Sequence, residues 1–180
     1  MLVLGMAAVM WVLEIVDGSL DDNGIQPREP DGLVGIVTSP FLHGGMDHLI
    51  SNTVPFLAMG LAIALAGLGR VIAVTAIVMV VGGLGTWLVG PDNTNHIGAS
   101  GVVFGYASYL LVRGFYNRSA LELAMGLVVG VLWGGALLGG LVPREGISWQ
   151  GHLFGGIGGV VAARALATRT TPTSRGARAG

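Results

Sequence analysis

"RVIAVTAIVMVVGGLGTWLV", residues 70–89, carries one charge, Arg70, at its start, and then runs apolar to Val89. A helix needs about 20 largely apolar residues to cross the ~30 Å hydrocarbon core of a bilayer. At 1.5 Å of rise per residue this run is long enough to do so. The rest of the chain agrees. Of its 180 residues 52% are hydrophobic and 11% charged, and the mean hydropathy is +0.74. A soluble domain carries roughly 25% charged residues, so too little polar surface is left to face water. Glycine accounts for 32 residues with no Gly-X-Y period, which excludes collagen and suits membrane helices that touch through small residues.

Five further apolar runs flank this one: residues 1–16, 46–66, 100–112, 119–141 and 150–167. The spacing predicts an all-α, polytopic membrane protein of six transmembrane helices over residues 1–167. A Thr-, Arg-, Gly- and Ala-rich tail, 168–180, is expected to be disordered. The first run starts at Met1 with no basic residue before it, so it does not read as a signal peptide. Residues 17–40 form a polar loop with Pro27, Pro30 and Pro40. Arg70, Arg113, Arg118, Arg164, Arg169, Arg175 and Arg178 fall on one side of such a bundle, and Arg28 and Arg144 on the other. By the positive-inside rule the first side is cytoplasmic, with the C-terminus. All nine cations are arginine and the net charge is −1, which gives no reason to expect nucleic acid. Cysteine is absent, so disulfides, thiolate metal sites and cysteine nucleophiles are excluded.

Polar side chains inside a membrane call for a function. His48, Asn52, Ser100 and His152 lie toward the outer ends of their helices. Counting the helical rise from Arg113, Arg164 and Ala66 puts Ser100, His152 and Asn52 about 20, 18 and 21 Å above the cytoplasmic boundary. The three thus share one level. The fourth run, of about 13 residues, is too short to span, so residues 91–99 are expected to dip into the membrane beside a water-filled cavity. His48 and Asn52 stand four apart on one helix face, as two donors of an oxyanion hole would. Ser100 adds its backbone N–H at a helix N-terminus. His152 would take the Ser100 proton and return it to the leaving amine. Gly101 with Gly105, and Gly155 with Gly159, form facing GxxxG stripes that bring the two helices close.

Simpler readings compete. A lone Ser in a membrane helix usually packs, and a lone His bonds a neighbouring helix. His43 would shape the cavity rim, His96 is a lesser candidate for the base, and Glu14 snorkels. Asp17, Asp47 and Asp92 are not placed to complete a triad. Trp11, Trp87, Trp133 and Trp149 suit interfacial or packing positions. Gly98-Ala99-Ser100-Gly101-Val102 lacks the last Gly of GxSxG. HExxH is missing, as is a GxGD around Asp92, so zinc and aspartyl protease readings fail.

Three motifs resemble the rhomboid intramembrane serine proteases. "HGGMDHLISN" holds His43, His48 and Asn52 in the spacing H-x4-H-x3-N, "GASG" holds Ser100 in GxSG, and "GHLFGG" holds His152 followed by Gly155. The resemblance covers residues 1–167. It implies a Ser100–His152 dyad with no acid, and an oxyanion hole from His48, Asn52 and the Ser100 N–H. It implies Phe104 packing on the catalytic histidine, with Gly98, Gly101, Gly155 and His43 shaping the site. Substrates would be transmembrane proteins cut near the outer end of a helix, in the cell membrane, with the site opening outward. No cofactor or metal is implied. The chain lacks the Trp-Arg pair that many bacterial members carry in the first loop. The alternatives are a catalytically silent rhomboid-like protein that binds membrane-protein clients, whose kind usually lacks the Ser or the His, and a small transporter or channel. A transporter would show inverted repeats and a midplane site, and neither is evident.

Overall fold

A computed structural model describes residues 1–16 and 18–168. Asp17 and residues 169–180 lie outside it, and with them nearly all of the tail expected to be disordered. Among the described residues seven α-helices form: α1 (Leu2–Val16), α2 (Gly35–Thr38), α3 (Met46–Ala64), α4 (Leu68–Val89), α5 (Ser100–Asn117), α6 (Ala120–Gly140) and α7 (Trp149–Ala165). No strand occurs among the described residues. An isolated antiparallel bridge joins Ile25 to His96. By length and composition α4 and α6 can each cross a membrane. On α6 only Gly126 and Val129 are buried, while Leu127, Val131 and Leu138 are 68–75% exposed. Such a face suits lipid, not water.

Local chemistry sets the helix ends. Asp47 lies in the first turn of α3, where a carboxylate meets the positive end of the helix dipole. Pro55 lies inside that helix at a buried position, where it lacks a backbone N–H to donate, and the helix runs on to Ala64. Helix α4 stops at Gly90, ahead of Pro91, which disfavours helical backbone in the residue before it. Ser119 caps α6 by accepting the Glu122 N–H at 3.3 Å, the S-x-x-E capping pattern.

Helix α5 is the hub. It packs on α7, α6, α3 and α4, and α7 also lies along α4. Around it Tyr106 stacks on Phe56 at 5.6 Å and its hydroxyl meets Thr75 Oγ1 at 2.6 Å. The first loop is not open coil. It winds through 3-10 turns at Gly18–Asn23, Asp31–Leu33 and Ser39–Phe41, with α2 between the last two. Trp87 Nε1 donates to the Glu29 carbonyl at 2.8 Å, and Arg28 Nε to Asp92 at 2.8 Å.

One boundary departs from the sequence reading. The fourth run was expected to end before Arg113, but α5 continues to Asn117. Arg113 does not face water. It is 8% exposed, ion-paired with Glu122, and lies over the Tyr109 ring at 5.4 Å. A charge paired inside the bundle gives the helix no reason to stop. The ~20 Å depth of Ser100 counted from Arg113 therefore loses its reference point, and direct contact has to replace it.

Candidate active site

Ser100 is the first residue of α5, and His152 lies in the first turn of α7. His152 Nε2 meets Ser100 Oγ at 2.8 Å. On its other side His152 Nδ1 meets the Gly140 carbonyl at 2.7 Å. A carbonyl only accepts, so Nδ1 holds the ring proton and Nε2 is free to accept from the Ser100 hydroxyl. Phe104, one turn after Ser100, lies flat on the imidazole with centroids 4.2 Å apart and planes 2° from parallel.

The small residues fix this pairing. A Cβ on Gly155 would stand 2.2 Å from the Gly101 carbonyl oxygen, and one on Gly159 would stand 2.0 Å from that of Gly105. The two helix backbones are thus in direct contact along their glycines. Gly98 has φ +114°, a conformation that side chains rarely adopt, and donates its N–H to the Ser39 carbonyl at 2.9 Å.

His48 and Asn52 share one face of α3. His48 Nδ1 accepts the Gly44 N–H at 3.4 Å, which leaves the ring proton on Nε2. A Cβ on Gly98 would lie 2.7 Å from that Nε2 and 3.7 Å from Ser100 Oγ. The His48 donor and the serine oxygen therefore border one small space that glycine leaves open. Asn52 is buried and gives one amide hydrogen to the His48 carbonyl at 2.8 Å, with the second amide hydrogen left over.

His43 is 1% exposed and meets His48 edge to face at 5.0 Å. Burial, with His48 beside it, pushes its pKa down to about 4, so it is neutral near pH 7. Its Nε2 accepts the Ala99 N–H at 3.3 Å and so holds the residue before Ser100. His96, weighed above as a base, faces elsewhere: its Nδ1 lies 2.6 Å from Ser148 Oγ. Asp92 is engaged with Arg28. Glu14 stays half-exposed near the end of α1. Behind Ser100 a cavity of about 50 Å³, lined in part by Ser39, Thr86, His96 and Ser148, has room for a water molecule. Among the described residues no three His, Asp or Glu side chains gather where a metal ion could be held.

Sequence reasoning missed the Gly140 carbonyl, and no residue type could have signalled it, because every residue carries one. It also missed Ser148, whose signal was its place four residues before His152.

The chain matches the Rhomboid domain family over residues 30–169. An uncharacterized protein of Mycobacterium tuberculosis is 46% identical over 176 residues, which cover 91% of this chain and 73% of the other. One of Mycobacterium leprae is 44% identical over 177 residues, with 91% and 70% covered. YdcA of Bacillus subtilis, provisionally named a rhomboid protease, is 29% identical over 126 residues, with 69% and 62% covered.

Proposed function

Because the chain belongs to the rhomboid family, a family of membrane helical bundles and intramembrane proteases, we propose that it is a serine endopeptidase that cuts the transmembrane helices of other membrane proteins near their outer end. The observation that carries this reading is the 2.8 Å contact between Ser100 Oγ and His152 Nε2, with the ring proton held on Nδ1 by Gly140.

In that reading Ser100 Oγ attacks the scissile carbonyl while His152 Nε2 takes its proton. The oxyanion accepts hydrogen bonds from the Ser100 N–H, His48 Nε2–H and the free Asn52 amide hydrogen. The imidazolium then gives its proton to the leaving amine, which departs and leaves an acyl-enzyme. Water, deprotonated by His152, attacks that ester, and Ser100 regains its proton as the second product leaves. The flat Phe104 ring keeps the imidazole in plane through these transfers.

Six helices, α1 and α3 to α7, span the cell membrane, with the arginine-rich side and the C-terminus in the cytoplasm. The site then opens outward, and the exposed apolar flanks of the bundle meet lipid. A silent, client-binding role is disfavoured by the presence of both Ser100 and His152.

The test is cleavage of a model transmembrane substrate in liposomes, together with fluorophosphonate labelling. Wild type should cleave and label, and Ser100→Ala and His152→Ala should do neither. Full cleavage by Ser100→Ala would end the proposal. No labelling of wild type, where a known rhomboid labels, would favour the client-binding role.

A further inference from the structure

Four residues before each member of the Ser100–His152 pair stands a second pair with the residue types exchanged. His96 precedes Ser100, Ser148 precedes His152, and His96 Nδ1 meets Ser148 Oγ at 2.6 Å. Counting protons orients this bond. The Thr94 hydroxyl donates its one proton to the Pro91 carbonyl at 2.6 Å, so toward His96 Nε2, 3.0 Å away, it can only accept. His96 therefore carries its proton on Nε2 and takes the Ser148 proton at Nδ1. Burial lowers the His96 pKa below its ordinary value, which keeps the ring neutral near pH 7.

Ser148 gives something up for this bond. It is the N-cap of α7, yet its hydroxyl makes no capping hydrogen bond, an interaction that serines in that position commonly form. Its carbonyl accepts the His152 N–H at 3.1 Å, so it belongs to the turn that carries the base. His96 is held in turn by the first loop, through Ile25 N–H to His96 carbonyl at 2.9 Å and the reverse at 3.0 Å. Glycines make the room: a Cβ on Gly90 would come 2.9 Å from His96 Nε2, and one on Gly151 2.9 Å from Ser148 Oγ. The Ser100–His152 contact is thus bracketed by Gly101–Gly155 on one side and by His96–Ser148 on the other.

We propose that His96 and Ser148 are positioning residues, a clamp that ties the start of α7 to the loop before Ser100 and thereby sets the distance from Ser100 to His152. Neither touches the reacting atoms. The clamp rests on the dyad reading given above. A misplacement of ~1 Å can cost about 10²-fold in rate, so the clamp acts on kcat and leaves substrate binding alone.

The test compares His96→Ala, Ser148→Ala, the double variant, Ser148→Thr and Ser148→Val in liposomes. Each alanine variant should lose roughly 10- to 100-fold in kcat with KM within about twofold. The double variant should be no worse than the poorer single, as residues acting through one bond are not additive. Ser148→Thr, which keeps the hydroxyl, should restore most of the rate, and Ser148→Val, which matches the threonine variant in shape but lacks the hydroxyl, should not. This pair also decides the matter if the alanine variants fail to fold. The acid limb of the pH–rate profile should not move in His96→Ala, because His152 remains the base. Unchanged kcat, a loss carried by KM, multiplying losses, equal Thr and Val variants, or a moved acid limb would each overturn the clamp. Fluorophosphonate labelling separates the two ideas. If wild type does not label, the dyad falls and the clamp with it. If wild type and His96→Ala label at the same rate, the clamp alone falls.

Discussion

Gly155→Ala adds one methyl group where α7 meets α5. The new Cβ would lie 2.2 Å from the Gly101 carbonyl oxygen, 2.9 Å from its carbon and 3.1 Å from its Cα. All three are backbone atoms, so no rotamer change relieves the clash. Ordinary contact begins near 3.4 Å, so the helices must part by roughly 1 Å, an overpacking that costs about 1–3 kcal/mol. His152 sits less than a turn from Gly155, and its 2.8 Å contact with Ser100 would stretch past hydrogen-bond range. A displacement of ~1 Å at a reacting pair predicts about a 10²-fold loss in kcat. Gly156→Ala is the control, since its Cβ would meet nothing within 4 Å. Both substitutions gain the same helix propensity, ~1 kcal/mol, so their difference isolates the contact. The assay is single-turnover cleavage of a transmembrane substrate in liposomes, with unfolding in detergent measured alongside. A folded Gly155→Ala enzyme as fast as Gly156→Ala would refute the reasoning.

Three other outcomes are expected. Gly98→Ala should lose more than ~10-fold in cleavage rate, because it combines a strained backbone with a Cβ 2.7 Å from the His48 ring; a wild-type rate would show that the space beside Ser100 is not used. Phe104→Leu keeps an apolar side chain but loses the stacking on His152, worth ~0.5–1.5 kcal/mol, and should slow single-turnover cleavage up to about tenfold without changing KM. His43 has a folded pKa of about 4 against 6.5 for the ordinary group. Its neutral form therefore contributes stability that is fully present above pH 6.5 and declines as the pH falls toward 4, by up to about 3 kcal/mol. Unfolding titrations should show His43→Gln losing that part of the acid sensitivity, and an unchanged slope would contradict the assignment.

The helices were legible because their apolar runs are long and their ends carry turn chemistry, as at Gly90-Pro91 and at Ser119 with Glu122. The rhomboid membership was legible because motif residues sit at fixed spacings. Arg113 misled for a physical reason. An arginine at the end of an apolar run looks the same whether it reaches water or a carboxylate on the next helix, and here Glu122 lies past the turn between α5 and α6. The first loop was read only as polar. Its turns are held by contacts such as Trp87 to Glu29 and Arg28 to Asp92, pairs some 60 residues apart that leave no periodic trace. His96 looked like a spare base because its proximity to Ser100 along the chain says nothing of where its ring points.

The Gly140 carbonyl that orients His152 is the last residue of α6, and α6 packs chiefly on α5. Its 21 residues make a rod of about 31 Å, close to the ~30 Å of an average hydrocarbon core. A bilayer of different thickness is accommodated by tilting such a helix, at a modest cost per ångström of mismatch. Tilting α6 moves the Gly140 oxygen relative to an imidazole held on another helix, and so changes how firmly His152 keeps its proton on Nδ1. With Ser100 and His152 as the proposed dyad, turnover should then respond to the acyl-chain length of the surrounding lipids, with the thickness of the membrane acting on a single ring proton.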